Sequence, residues 1–342
     1  ILAVCFIILL LSYRYRLYLK LNKQVDGGIP PRIPLNDGNT IPALGLGTYL
    51  GINQVITPTN NEVENAVKWG LEAGYRLIDT AAVYLDEDQV GKGVRASGLP
   101  REKVFVVTKL AMNEQRHVLE ALQKSLDRLS MSYVDLYLVH TPFSFASDYS
   151  NYDNVDYVDT WKEMEKAKNM GLAKSIGISN FNISQIDRLL ANCQIKPSVF
   201  YHSYRLIEHC KKNDIVVMAY TPFGSLFDGD SPAPPPRAND PTLLQIANKY
   251  GKTTPQIVLR YLVQRGLIPI PKSLKKNRIE QNIDIFDFEL TSEEMAELRK
   301  FNKDYRKVSM EFWQDIPNFP FERKDNPSPD PFGFIKNKKS DH

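Results

Sequence analysis

Three short apolar runs each close on a polar side chain: Leu77-Ile78-Asp79, Val107-Thr108-Lys109 and Leu138-Val139-His140, with Tyr84 shortly after the first. An acid, a cation, an imidazole and a phenol are the groups needed to protonate an oxygen. A tyrosine hydroxyl titrates near 10, too high for an efficient acid unless a cation lowers it. Lys109 could do so, and Asp79 would keep Lys109 charged and oriented. A neutral His140 could donate a hydrogen bond to a substrate carbonyl. Together the four would protonate an alkoxide as hydride arrives at its carbon. Singly, each has a plainer role: a cap for Asp79 before Thr80, a solvated end charge for Lys109, packing for Tyr84, a structural hydrogen bond for His140. Only the combination points to catalysis.

These side chains meet only if the runs are neighbouring strands, and the rest of the chain supplies that arrangement. Arg32 to Pro42 reads as a hairpin turning at Asn36-Asp37-Gly38. Thr59 with Glu62 forms a capping box ahead of Val63, Ala66, Val67 and Leu71, the face of an amphipathic helix. A strand at Arg76–Ile78 and a helix carrying Val90 follow. Val104–Thr108 is a buried strand, and Val118, Leu122, Leu126 and Leu129 mark the next helix. The alternation continues with a strand at Val134–Val139, a helix carrying Tyr157, Trp161 and Met164, a strand at Ser175–Ile178 and a helix over Ile186–Leu190. After a poor strand near Val199 come strands at Ile215–Ala219 and Leu267–Ile270. Between these last two lie a Pro-rich loop, Ser231 to Pro241, and a helix begun by Pro255. Thr291 with Glu294 caps a final helix carrying Met295 and Leu298. With a strand at Leu44–Gly47, the units number about eight, which predicts a (β/α)8 TIM barrel with an N-terminal β-hairpin and a long C-terminal loop from about Asp304. Barrel active sites lie where strands end, at the rim that would carry the four residues. The domain reading is an N-terminal extension over 1–31, a barrel over 32–322 and a polar tail over 323–342.

Several segments closely resemble the aldo-keto reductase family. They are Leu35–Gly38 followed by Leu44–Tyr49, Gly74–Tyr84, Val107–Lys109, Asp135–His140, Ser175–Phe181 and Ile270–Ser273, in the family's order from about Ile33 to Phe321. The resemblance implies reduction of an aldehyde or ketone by NADPH, with Tyr84 as general acid, Lys109 and Asp79 tuning it, and His140 orienting the carbonyl. It implies that Lys272, Ser273 and Arg278, with Leu274 among them, hold the 2′-phosphate of NADPH. Late basic residues near a helix start suit a phosphate on physical grounds as well, although Lys275 and Lys276 crowd there as an ordinary surface cluster would. Asn282, and Gln281 in place of a common Glu, would lie near adenine. Tyr220 would stack on nicotinamide, and Ser179 and Asn180 would contact its carboxamide. Thr221, Phe223 and Ser225 would follow the pyrophosphate, and Gly47, Thr48 and Tyr49 would complete the cofactor site. Gly45-Leu46-Gly47 lacks the GxGxxG spacing and an immediately following helix, so a Rossmann reading fails.

The sequence departs from the family's pattern in two places. Between Pro197 and Leu206 the stretch is shorter than usual, and the sixth-strand Gln that contacts the carboxamide is missing. A truncated barrel strand threatens sheet closure, so a second reading stays open: a catalytically impaired or non-enzymatic dinucleotide-binding barrel. Ala111 and Thr141 stand where the family often has aromatics, which would widen the substrate pocket or leave it polar. Tyr49, Phe312 and Trp313 are then its remaining aromatic walls.

Composition bounds the alternatives. The chain has 342 residues, 43% hydrophobic and 24% charged, an ordinary globular balance. Its 43 basic and 40 acidic residues leave a net charge of +3, too even to suggest a nucleic-acid partner. Three cysteines without metal spacing fit a reducing, cytoplasmic setting, and five histidines without HExxH argue against a catalytic metal. Ile1 to Leu11 is an apolar run followed by Arg14, Arg16, Lys20 and Lys23. A truncated membrane anchor facing the cytosol, a clipped signal peptide and a gene-model artefact compete for it; charge after the run disfavours the signal peptide. Membrane association would then run through residues 1–23 alone. The expected partner is a small carbonyl substrate, and the family's habit implies a monomer.

Overall fold

The computed structural model describes residues 29–51, 60–201, 206–229 and 233–333. The N-terminal apolar run and Thr59 lie outside these residues. The chain opens on a hairpin, β1 (Arg32–Pro34) and β2 (Thr40–Pro42), paired antiparallel with Ile33 opposite Ile41. Eight strands then form one parallel sheet: β3 (Leu46–Gly47), β4 (Leu77–Asp79), β5 (Phe105–Leu110), β6 (Val134–Val139), β9 (Ala173–Ser179), β10 (Val199–Tyr201), β11 (Val216–Ala219) and β12 (Leu267–Pro269). Each pairs with the next in the chain. A small antiparallel pair, β7 (Ser144–Phe145) and β8 (Tyr152–Asp153), sits in the loop after β6.

The sheet closes on itself. Gly45 N–H donates to the Pro269 carbonyl at 3.1 Å, Gly47 N–H donates to Pro271 at 3.0 Å, and Gly47 bridges Lys272 in parallel. Proline has no N–H, so this seam is satisfied by donation from the first strand to the last. The approach is close: a Cβ on Gly45 would stand 2.2 Å from Leu77 Cδ2 and 2.7 Å from Ile270 Cδ1.

Strands buried on both faces read as continuous apolar runs, and β5 and β6 are buried throughout. Their side chains alternate between two cores. Leu77, Phe105, Val107, Leu136, Leu138, Val199, Met218 and Ile268 pack inside the barrel, and hairpin residues Ile33, Leu35 and Ile41 join them. Ile78, Val106, Tyr137, Val139 and Phe200 face the other way, toward the helices. Those helices are amphipathic. α1 (Glu62–Glu72) buries Val63, Ala66, Val67 and Leu71, and α3 (Val118–Leu129), which follows α2 (Glu87–Ala96), buries Val118, Leu122, Leu126 and Leu129.

Three expectations need correction. The cap position of α1 is Asn61, without a side-chain cap bond. The stretch read as a loop to Pro241 ends in a helix, α7 (Pro241–Tyr250), which follows α4 (Tyr157–Asn169), α5 (Ile183–Leu190) and α6 (Ile207–Lys212). Asp240 caps it through the N–H groups of Thr242 and Leu243, and proline is tolerated in its first turn because that N–H needs no partner. The shortened sixth strand does not open the barrel: Val199, Phe200 and Tyr201 pair in register with β9 on one side and β11 on the other. His202–Arg205 lie outside the described residues. Among the described residues beyond Lys300 the chain is irregular apart from a turn of 3-10 helix at Glu311–Trp313. Phe332, in the stretch read as a polar tail, stacks on Trp313 with ring centroids 5.5 Å apart. Among the described residues no helix is long and apolar enough to cross a membrane.

Candidate active site

The alternation that fills the barrel also aims the polar side chains. Asp79 shares its parity with inward Leu77, Lys109 with Phe105 and Val107, and His140 with Leu136 and Leu138. Strand side chains alternate faces with period two, so all three enter the barrel at the rim where their strands end. Tyr84 ends a 3-10 turn, Ala82–Tyr84, after β4.

The four come together. Lys109 Nζ donates to Asp79 Oδ1 at 2.8 Å, to the Thr80 carbonyl at 2.8 Å and to the Tyr84 hydroxyl at 3.4 Å. Lys109 is fully buried and Asp79 is 1% exposed. The Tyr84 and His140 rings meet edge-on with centroids 5.8 Å apart, and the exposed Tyr49 ring lies 4.8 Å from that of Tyr84. The Tyr84 oxygen accepts from Lys109, so the phenol's own proton remains to be donated.

Burial dominates the electrostatics. It raises the Asp79 carboxyl and lowers the Lys109 ammonium, while their ion pair opposes both shifts. His140 is pushed down to about 3 by burial and then by the Lys109 charge, so the imidazole is neutral. Its Nδ1 is buried without a partner among the described residues. A bare acceptor is less costly there than a bare N–H, which favours the tautomer protonated on Nε2. Tyr84 differs from expectation. Burial pushes its hydroxyl well above the usual phenol range, and the carboxylates of Asp79 and Asp86 push the same way. Burial thus works against the lowering expected from the Lys109 cation.

Two residues beside the group carried little signal in the sequence. Tyr201, 5% exposed, donates from its hydroxyl to Asp79 Oδ2 at 2.6 Å. Asp86, fully buried, accepts from the Thr80 hydroxyl at 2.5 Å, and burial raises it to about 6. An acidic residue just before a helix reads as a cap, and a tyrosine in a short apolar run reads as packing.

The remaining rim residues fall into three places. Near the seam lie Gly47, buried Thr48, whose N–H donates to the Asp79 carbonyl at 3.1 Å, and exposed Lys272. Ser273 is buried and accepts from Lys275 N–H at 3.1 Å; half-buried Leu274 leads into α9 (Lys276–Ile283), which follows α8 (Thr254–Gln264). On α9, Arg278 and Gln281 are exposed and Asn282 is buried. At the end of β9, Ser179 and Asn180 are buried, and Asn180 Nδ2 donates to the His140 carbonyl at 2.9 Å. The Tyr220 hydroxyl donates to Asn180 Oδ1 at 3.0 Å. Thr221 has φ 43°, Phe223 packs edge-on against Phe227, and the Ser225 hydroxyl donates to the Pro234 carbonyl.

Ala111 and Thr141 stand at the positions read as widening the substrate pocket or leaving it polar. Both are buried, and the Thr141 hydroxyl is turned to the Phe143 carbonyl at 2.8 Å. Phe143, Phe145, Met112 and Ile316 cluster with Trp313, which is 4% exposed, and Phe312 and Phe332 pack against it. Aromatics from the β7 loop and the C-terminal arm thus form one cluster. Among the described residues no cluster of His, Cys, Asp and Glu could hold a metal.

Comparisons agree with this geometry. The profile of the aldo/keto reductase family matches residues 43–303. An aldo-keto reductase of Bombyx mori, AKR2E4, is 50% identical over 304 residues, covering 85% of this chain and 98% of that protein. Aldo-keto reductase family 1 member D1 of Mus musculus is 37% identical over 317 residues, covering 85% of this chain and 96% of its own. The crystal structure of the Bombyx mori enzyme with NADP superposes with a TM-score of 0.80 at 49% identity, over 85% of this chain and 99% of that one. A second aldo-keto reductase, AKR2E5, complexed with NADPH, gives 0.83 at 36% identity, over 88% and 97% of the two chains. The match over residues 43–303 and the relatives aligned along nearly their full length show that this chain belongs to the aldo/keto reductase family.

Proposed function

We propose that this chain reduces the carbonyl of an aldehyde or ketone to an alcohol, using NADPH. The observation that carries the reading is the 3.4 Å contact of the Lys109 ammonium with the Tyr84 oxygen, beside an imidazole held neutral. The residue types fit the cofactor: two exposed cations stand on either side of buried Ser273 in the chain, Lys272 before α9 and Arg278 in its first turn. There charge and backbone N–H groups favour a phosphate. Asn180 and Ser179 would hold the carboxamide, with Tyr220 against the ring. When bound, the cofactor supplies hydride.

The residues of the chain then handle the oxygen. His140 orients the carbonyl by a hydrogen bond from its protonated nitrogen. Tyr84 gives its proton to the developing alkoxide, a base stronger than a phenolate even in a dry site. Lys109 stabilises the phenolate left behind, which burial alone would make costly. Asp79 keeps Lys109 in place.

The Lys272 and Arg278 assignment is tested by coenzyme preference. Replacing both by alanine should weaken NADPH binding by about 100-fold, two charge-assisted contacts at about 1.4 kcal/mol each, and leave NADH binding unchanged. Fluorescence titration of both nucleotides measures this, and equal losses for the two would remove these residues from the phosphate site.

A further inference from the structure

Tyr201 stands at the end of the strand that is shortened in sequence, yet its side chain crosses the barrel to the opposite wall. It shares the inward parity of Val199 and reaches Asp79, far away in the chain, with a 2.6 Å hydrogen bond. Asp79 therefore takes one donor on each oxygen: Lys109 on Oδ1 and Tyr201 on Oδ2. With Lys109 alone the carboxylate could turn to present either oxygen; the second donor fixes its plane. The Tyr201 ring also covers Lys109, whose Nζ lies 4.5 Å from its centroid and 4.9 Å from that of Tyr84. Such aromatic faces favour a desolvated ammonium.

Tyr201 is itself held. Its ring stacks on Tyr220, with centroids 5.3 Å apart and 28° between planes. The Tyr220 hydroxyl bonds Asn180, and Asn180 bonds the His140 carbonyl. One continuous framework thus runs from the carbonyl-orienting strand to the carboxylate beneath the proton donor.

We propose that Tyr201 is a positioning residue of the proton-delivering group, its hydroxyl fixing Asp79 so that Asp79 holds Lys109 against the Tyr84 oxygen. This rests on the reading that Tyr84 delivers the proton. The titratable groups coupled to this network are Tyr49, Tyr84, Asp86, Glu87, His140 and Tyr220.

The test uses Tyr201→Phe, which keeps the ring and its stack, in a cycle with Asp79→Asn. Turnover should fall about tenfold in Tyr201→Phe, with NADPH affinity within about twofold of wild type. In the Asp79→Asn background the same change should cost less than about twofold, because no carboxylate remains to be fixed. Additive losses, or a turnover effect confined to NADPH affinity, would overturn the proposal. A second readout needs no turnover: the titration of Lys109, followed by carbon NMR of labelled lysine. Without the Tyr201 hydroxyl the Asp79 carboxylate is free to turn from Lys109, and an ammonium held less closely by its counter-ion should deprotonate at lower pH; an unmoved titration overturns the proposal. If wild type reduces no carbonyl while the Lys109 titration still shifts, the functional reading fails and the positioning role stands.

Discussion

Replacing Lys109 by methionine removes one half of a buried ion pair while nearly preserving volume. Asp79 Oδ1 and the Thr80 carbonyl would each lose a 2.8 Å donor in surroundings that are 1% or less exposed. Removing one partner of a buried pair costs about 3–5 kcal/mol, chiefly because the remaining charge is stranded. At roughly 2 °C per kcal/mol in a chain of this size, the melting temperature should drop by roughly 6–10 °C near neutral pH. The deficit should also depend on pH, with a definite sign. Alone in a dry site, Asp79 has a folded-state pKa well above its unfolded value near 3.9, so the folded variant binds more protons than the unfolded one. Its stability relative to wild type should therefore recover as pH falls from about 8 to about 5. Denaturant unfolding at several pH values, read by circular dichroism, measures both effects. A deficit below about 1 kcal/mol, the range of exposed pairs, or one that does not change with pH, would refute the buried-pair reasoning.

Two further outcomes follow from packing and charge. Gly177 lies opposite Val199 on the sixth barrel strand, and a Cβ there would stand 2.4 Å from the Val199 carbonyl oxygen and 2.7 Å from Leu138 Cδ2. Gly177→Ala should lower the unfolding free energy by about 1–3 kcal/mol or more, because a paired backbone oxygen cannot move aside; a change within about 0.5 kcal/mol in denaturant unfolding would contradict it. His140, pushed down to about 3, should show no protonation in nitrogen NMR at mildly acid pH. A depressed folded-state pKa in a base means that stability from this group is full above its unfolded value near 6.5 and is lost as pH falls below it. A titration near 6.5 in the folded protein would place the ring in solvent.

Much of the rim was legible because a period-two pattern carries inward and outward faces together. Once Leu77, Val107 and Leu138 are core, the polar residues two positions on must enter the barrel at its mouth. What escaped the sequence depended on register between distant strands or on isolated side chains. Tyr201 sits in a stretch whose shortness signals damage, and nothing local tells that its hydroxyl meets Asp79 across the barrel. The β7–β8 pair has two residues per strand, too few to show alternation. Helix α7 was legible in principle from Asp240-Pro241 with Leu243, Ile246 and Ala247, but prolines before it masked its start. Phe332 gave no periodic signal in a polar stretch, yet it and the Lys324–Glu311 ion pair tie that stretch to the aromatic cluster. For Tyr84 the neighbours were foreseen, but the sequence could not weigh the burial that raises its hydroxyl.

One phenol, Tyr84, is proposed to deliver the proton. Tyr84→Phe, saturated with NADPH and offered any carbonyl the wild type reduces, measures it directly through loss of the reduced-nicotinamide absorbance. NADPH affinity should be unchanged and turnover should fall by at least about 100-fold, the lower end of what a positioned general acid contributes. Turnover within a few-fold of wild type would mean that the proton comes from elsewhere.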